Sequence, residues 1–425
     1  MKKILILAAL AVLGTAAGAQ TTEELIKQDA DHSVGIYHRY ETFGDLTDTP
    51  APRGYKPFYI SHYGRHGSRY HTSAGFYNRS ISALSAWKDA GILTQKGGQL
   101  LQDVQEYVRE QDGRDGILTQ IGSLEHQQIA DRMYHRFPQV FRNRKCKDIL
   151  VVSSTIQRCL QSAAGFTLSL KGNDPGLQFH LYTGDRYMDY LCHSVPATRE
   201  SPLFEGVRDS ILRAELNPDR FIGTLVSDPQ KAAGLTGGRP LIDIIRDIYY
   251  VGSIRQDIEA PLPDILGTYF DMDELLALAD SDNARWYGGF ANSVECGDFR
   301  SRGIGVPLLR DFVEKADEVL AGGGRIADLR FGHDTGLAPL FFLLETAESG
   351  GRRSIAKGSR DWWCFRQMCM ASNIQMVFYR NKAGDTLVKI LHNESETTIP
   401  AVPTFSGPYY RWSDLRAYFI KLIGD

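Results

Sequence analysis

Pro57-Phe58-Tyr59-Ile60-Ser61-His62-Tyr63-Gly64-Arg65-His66-Gly67-Ser68-Arg69-Tyr70-His71 begins as a buried strand and ends as a loop crowded with arginine, histidine and glycine. Two later stretches repeat the pattern. Asp148-Ile149-Leu150-Val151-Val152 reads as a buried strand, after which Ser153-Ser154-Thr155 opens a helix that carries Arg158 and runs to about Leu170. Ile326 to Phe331 reads as a third strand, ending at Gly332-His333-Asp334-Thr335 before a helical run from Leu337 to Leu344. Leu118 to Phe137 has helical period with Thr119 as its N-cap, and Ile374 to Tyr379 with Thr386 to Leu391 form a late hairpin turning at Lys382-Ala383-Gly384-Asp385. Strands alternating with helices predict an α/β fold, a mostly parallel central sheet flanked by helices. Between residues 185 and 322 the texture changes: Leu241 to Tyr250 and Asp264 to Ala279 are helical in period and strand signals are scarce. The expected organisation is an α/β domain from 20–184 and 323–425, with a mainly helical insertion at 185–322. Open α/β sheets bind ligands at the carboxyl ends of their strands, so the insertion would form the other wall of a cleft.

The composition fits a globular chain and narrows the ligand. Of 425 residues 43% are hydrophobic and 23% charged, which excludes disordered, collagen-like and coiled-coil classes. A net charge of -3 supplies no general field for nucleic acid or anionic lipid, so any anion site must be local. Lys2 and Lys3 before an apolar run from Ile4 to Leu13, then Ala17-Gly18-Ala19, read as a signal peptide over residues 1–19. No cysteine stands at the cleavage point and no later stretch approaches roughly 18 apolar residues, so an exported protein without a membrane anchor is expected, periplasmic or secreted. An oxidising compartment permits Cys146, Cys159, Cys192, Cys296, Cys364 and Cys369 to pair, in an order the sequence leaves open. Cys364 and Cys369 lack a second ligand pair, and Trp362, Trp363 and Phe365 mark their segment as core, so no metal site is assigned there. Asn78-Arg79-Ser80 and Asn393-Glu394-Ser395 fit the glycosylation sequon, a pattern short enough to arise by chance.

Arginine and histidine at three strand ends are costly to hold together unless an anion receives them. Taken singly, each loop is as well read as a solvated turn with scattered charge; their coincidence points to one site. A tetrahedral phosphate suits planar guanidinium forks, and Arg65, Arg69 and Arg158 are the candidates. Like charge around His66 disfavours its cation, leaving a neutral imidazole near or below its usual pKa of about 6.5 and fit for in-line attack on phosphorus. Gly64 and Gly67 are expected to let backbone approach the oxyanion. The departing alkoxide needs a proton, for which Asp334 beside His333 is the candidate; the plainer role for Asp334 is to N-cap the following helix.

These residues carry a resemblance. Arg65-His66-Gly67-Ser68-Arg69 followed by His333-Asp334 is similar to the histidine acid phosphatases, the branch of the histidine phosphatase superfamily that includes phytases and multiple inositol polyphosphate phosphatases. Leu118-Thr119-Gln120-Ile121-Gly122, the turn from Ser153 to Arg158, and Ser372-Asn373-Ile374-Gln375 resemble further family segments in the family's order, from about residue 57 to 380. The resemblance implies His66 as the nucleophile that becomes phosphohistidine, Arg65, Arg69, Arg158 and His333 as phosphoryl ligands, Asp334 as proton donor, and no metal or cofactor. His71 departs from the family's usual proline, which should loosen the loop without removing a catalytic group. A metal trio of His62, His66 and His71 is disfavoured, because the arginines between them repel a cation.

The resemblance leaves the substrate between subfamilies. Tyr70, and Cys159 after Arg158, are closer to the inositol polyphosphate phosphatases, whereas His333-Asp334-Thr335 resembles the bacterial phytases and glucose-1-phosphatases. A polyphosphorylated inositol needs further cations, for which His71, Arg79, Arg186 and Lys27 are candidates. The leading expectation is a phosphomonoesterase of inositol polyphosphates such as phytate, with a small-molecule phosphate ester as partner and no nucleic acid. The alternatives are a broad acid or sugar-phosphate phosphatase and a catalytically silent phosphate-ester binder. The last would need neither nucleophile nor acid. Mutase chemistry fits poorly with export and a large insertion.

Overall fold

Alternation of apolar and polar positions gives way, in the strands that decide this fold, to continuous burial. The computed structural model describes residues 22–42, 46, 48–191, 202–291, 293–295 and 299–424. The signal-peptide reading, Cys192 and Cys296 lie outside the described residues. Strand β1 (Lys56–Arg65) runs through the sheet's centre, and its last seven residues are buried. β2 (Asp148–Ser153), β3 (Gln178–Thr183) and β4 (Ala327–Gly332) share its direction, whereas β5 (Asn373–Arg380), β6 (Thr386–His392), β7 (Ser395–Thr397) and β8 (Tyr409–Arg411) add antiparallel pairings. The order is β3-β2-β4-β1-β5-β6-β7, with β8 also on β6, and helices cover the sheet. This is the mostly parallel, helix-flanked sheet that the alternation predicts.

Register brings the three chemistry-bearing loops together. Arg65 pairs with Gly332, and Ser153 with Phe331, so β1, β2 and β4 end at one level. Parallel strands in register deliver their following loops to a single edge. The helix Gln120–Arg136 forms as the period suggests, with Thr119 Oγ1 accepting from Gly122 N at 3.1 Å. Elsewhere the reading needs correction. The helix after β2 spans Gln157–Asn173 with Ile156 at its N-cap, so the serines do not open it; Ser154 Oγ instead accepts from Ile156 N at 3.2 Å. The run from Asp264 to Ala279 is two helices, Ile265–Tyr269 and Met272–Phe290, divided by Asp271, whose carboxylate forms a capping box with Glu274.

The stretch between η-turn Asp185–Tyr187 and β4 is helical where described: Pro202–Glu215, Pro218–Leu225, Pro229–Gly234, Leu241–Gly252, Met272–Phe290 and Phe299–Leu320 among its helices. One apolar cluster joins Leu241–Gly252 to Gly75–Asp89 and Gln95–Gln111, so this stretch packs on helices from the other part of the chain. Cys146, Cys159, Cys364 and Cys369 are free thiols.

Candidate active site

His66 follows β1 directly, and its backbone is clamped from both neighbours. His66 N donates to Gly332 O at 2.9 Å, Ala371 N donates to His66 O at 3.0 Å, and Arg65 N donates to Ser372 O at 2.8 Å. Tyr63, two residues before Arg65, reaches across: its hydroxyl accepts from His333 N at 2.9 Å and donates to His333 O at 3.0 Å. That hydroxyl fits because Gly332 and Gly336 have no Cβ; one would stand 2.2 and 2.3 Å from it. The His66 and His333 rings therefore meet edge to face, centroids 5.5 Å apart at 72°.

The glycines of the loop answer to packing. A Cβ on Gly67 would lie 2.3 Å from Gly122 O, and one on Gly122 would lie 2.2 Å from Ser68 O. Backbone crosses backbone here, which explains why Arg-His-Gly and Leu-Thr-x-x-Gly travel together. Gly64 faces the His62 ring. Contacts inside the protein thus already require glycine at both positions.

The tautomer of His66 follows from its neighbour. Its Nδ1 lies 3.0 Å from Gly67 O, and a carbonyl only accepts, so Nδ1 carries the proton and Nε2 holds the lone pair. Burial, then the charges of Arg158, Arg65 and Arg69 and the nearby His333, hold the His66 pKa well below its ordinary value. His333 Nδ1 lies 3.4 Å from Arg158 Nη2, and its Nε2 lies 3.0 Å from Ser154 Oγ. Burial, then Arg69, lowers the Arg158 pKa.

Arg65 is wholly buried. Its Nη1 donates to Ile36 O and Met368 O, each at 2.7 Å, and its Nη2 lies 2.9 Å from Asp334 Oδ2, an ion pair outside hydrogen-bond geometry. Arg69 Nη1 donates to Tyr70 O at 2.9 Å. The Nε atoms of Arg65, Arg69 and Arg158 have no hydrogen-bond partner among the described residues. Buried guanidinium N–H groups without acceptors are costly, about 1–3 kcal/mol each or more, so three of them around one imidazole mark a place for an anion. Asp334 is the first residue of the helix Asp334–Leu344; the cap position belongs to His333, which makes no side-chain cap bond.

These groups open into a cavity of about 680 Å³. His66, Arg69, Arg158, His333 and Asp334 line one wall, while Arg208, Arg239, Arg246 and Arg285 line it from the helical stretch and Arg79 from the helix Gly75–Asp89. Asp247 takes a bidentate pair from Arg79, at 2.9 and 2.7 Å, and a third contact from Arg239 at 2.7 Å. Arg246 Nη2 donates to Asp243 at 2.7 Å. Among the described residues, seven arginines against Asp247, Asp282 and Asp334 line the cavity and leave that lining cationic in a chain whose net charge is negative.

Of the four outer cations named from sequence, Arg79 alone lines this cavity. His71 is buried beside it, Nδ1 2.7 Å from Tyr77 Oη and Nε2 3.4 Å from Ser253 Oγ, and burial followed by Arg69 depresses its pKa. Arg186 lines a separate cavity of about 220 Å³ with Tyr187 and Asp311. Lys27 is exposed and pairs with Glu23 four residues earlier. The His62 ring packs between Phe166 and Phe331, at 5.1 and 5.5 Å, which removes it from any trio with His66. Arg208, Arg239, Arg246 and Arg285 were not predicted: three lie within helices and Arg239 in the loop before Leu241–Gly252, with no motif to mark any of them.

Comparison with known proteins bears on the fold and on the segment around His66. The family model of the histidine phosphatase superfamily (branch 2) matches residues 64–197. No curated protein matches. A multiple inositol polyphosphate phosphatase of Bifidobacterium longum, solved in complex with inositol hexasulfate, superposes with a TM-score of 0.76 at 19% identity, covering 91% of this chain and 97% of that one. The D. castellii phytase gives 0.65 at 14% identity over 92% and 84%. A Hafnia alvei phytase, in complex with myo-inositol hexakis sulphate, gives 0.57 at 13% over 87% and 98%. The matched segment holds the motifs around His66, and the superpositions show that the chain shares the fold of these solved phosphatases.

Proposed function

We propose that the protein is an exported phosphomonoesterase that hydrolyses inositol polyphosphates such as phytate through a phosphohistidine. The observation that carries the reading is a neutral, buried His66 whose Nε2 lone pair stands among unspent guanidinium donors, with Asp334 alongside. Arg65, Arg69, Arg158 and His333 hold the phosphoryl oxygens and take up the charge that grows on them. His66 Nε2 forms a bond to phosphorus as the ester P–O bond breaks, and Asp334 gives its proton to the departing alkoxide. Water then attacks the phosphohistidine, its proton returning to Asp334, and orthophosphate leaves with His66 neutral again. Asp334 is kept close by Arg65 at 2.9 Å.

Arg79, Arg208, Arg239, Arg246 and Arg285 supply charge for phosphates beyond the one being cleaved, which favours a polyphosphate over a sugar monophosphate. The solved relatives named for inositol phosphatase activity support the same substrate class. Export rests on the reading of residues 1–19.

The test measures phosphate release from inositol phosphates, sugar phosphates and an aryl phosphate. His66→Ala should abolish turnover with the fold intact. Asp334→Asn should lose about 10² to 10⁴-fold on an inositol ester and far less on p-nitrophenyl phosphate, whose leaving group departs without a proton. Equal losses on both would remove the acid role, and a faster sugar monophosphate would remove the substrate class.

A further inference from the structure

The segment ahead of β1 brings together three side chains that the phosphatase reading does not use. His32 lies in the turn Ala30–Tyr37 and His38 directly after it; both are buried, their ring centroids 4.9 Å apart. His32 Nδ1 lies 3.0 Å from Leu25 O, and His38 Nδ1 lies 3.1 Å from Asp31 O. A carbonyl only accepts, so each ring carries its proton on Nδ1. Both Nε2 atoms then face one oxygen, Glu41 Oε2, at 3.2 and 3.1 Å.

Two lone pairs aimed at a carboxylate oxygen repel unless positive charge lies among them. Two further protons would supply it only by setting two imidazolium rings side by side in a buried place. A single divalent cation satisfies all three donors at once. Zinc bonds imidazole nitrogen and carboxylate oxygen at about 2.0–2.2 Å in tetrahedral geometry, which separates neighbouring donors by roughly 3.3 Å. Both histidine–carboxylate separations, 3.2 and 3.1 Å, are near that value, and all three ligand atoms lie within 4.8 Å of one another. Backbone carbonyls on both Nδ1–H groups are the outer contacts that orient histidine ligands.

We propose that His32, His38 and Glu41 form a zinc site outside the cationic cavity, with the half-exposed Glu41 as its third protein ligand. Its role is structural. The turn it closes carries Ile36, whose carbonyl holds Arg65 Nη1, and His38 O accepts from Met370 N at 2.8 Å. Next to Glu41, Tyr40 N donates to Glu125 Oε1 at 2.8 Å, and Glu125 in turn accepts from Ser68 N at 2.7 Å. An ion here fixes the segment that supports the His66 loop from behind.

The test uses the full chain, stripped with a chelator, dialysed against zinc and then against zinc-free buffer, with bound metal counted by mass spectrometry. Wild type should retain about one equivalent; Glu41→Gln, on a half-exposed side chain that leaves folding intact, and His38→Asn should each lose most of it. Zinc should raise the thermal midpoint of wild type and leave that of Glu41→Gln unmoved. Cobalt loading should give wild type, and not Glu41→Gln, a visible spectrum of low coordination number. A wild type that retains no zinc overturns the proposal. So does equal retention by Glu41→Gln and wild type, which would put the ion elsewhere, as at His66 and His333.

Discussion

The crossing of Gly67 over Gly122 allows a perturbation whose size comes from distances. In Gly67→Ala the new Cβ meets Gly122 O at 2.3 Å, Cα at 2.7 Å and C at 2.8 Å, all backbone atoms. Ordinary van der Waals contact begins near 3.4 Å, so the loop and the start of the helix Gln120–Arg136 must part by about 1 Å. Overpacking of this kind costs about 1–3 kcal/mol, and at backbone the upper end applies. The displaced residue adjoins His66, and a misplacement of about 1 Å at a reacting group costs on the order of 10²-fold in rate. Gly67→Ala should therefore lose both thermal stability and kcat/KM. Gly98→Ala is the control: it lies inside the helix Gln95–Gln111 with nothing within 4 Å of its Cβ, and should gain roughly 0.5–1 kcal/mol with activity unchanged. The assay pairs a melting curve with steady-state rates on an inositol phosphate. If Gly67→Ala behaves like Gly98→Ala, the crossing does not position the nucleophile.

The remaining predictions concern charge. Burial lowers the His126 pKa to about 3, so the unfolded chain binds a proton below about pH 6.5 that the folded chain refuses, and acid favours unfolding. Stability should fall by up to about 1.4 kcal/mol per pH unit from this residue between those limits; Asp257, raised by burial, acts in the opposite sense. The readout is therefore the difference between wild type and His126→Gln in denaturant melts, and an identical pH slope would refute it. Arg69→Lys and Arg158→Lys keep charge but lose the planar fork, and each should cut kcat/KM by at least about tenfold; near-normal rates would place them outside the phosphate site. Arg239→Ala with Arg246→Ala should raise KM for a hexakisphosphate more than for an aryl monophosphate, and equal effects would deny these arginines a part in polyphosphate selection.

What the sequence made legible is contiguous. The ends of β1, β2 and β4 stand beside their own strands, so a buried run followed by Arg-His-Gly, Ser-Ser-Thr or His-Asp announces both strand and loop. β3 escaped notice because Gln178–Thr183 is an exposed edge strand with no apolar run, and β7 and β8 have three residues each. The outer cavity wall was illegible for another reason. Arg208, Arg246 and Arg285 come together only through packing of three separate helices, with Arg239 in the loop before one of them, and no spacing encodes it. His71 and Lys27 show the converse: a basic side chain near a motif says nothing of which way it faces, and here Tyr77 and Glu23 take them.

Beneath the loop lies a network that spacing could not have shown. Ser68 Oγ has one proton, yet it stands 2.8 Å from Glu125 Oε1 and 2.6 Å from Asp257 Oδ1. Burial raises the pKa of both acids, and of Asp257 by far the more. Asp257 therefore keeps its proton and donates it to Ser68 Oγ, which passes its own to Glu125. Glu125 can stay ionised because it also accepts from Ser68 N and Tyr40 N, at 2.7 and 2.8 Å. One anion, not two, then sits under Arg65 and Arg69. The guanidinium charge is then less offset from beneath the loop; burial first, and that charge after it, depresses the His66 pKa where a phosphoryl group would meet it.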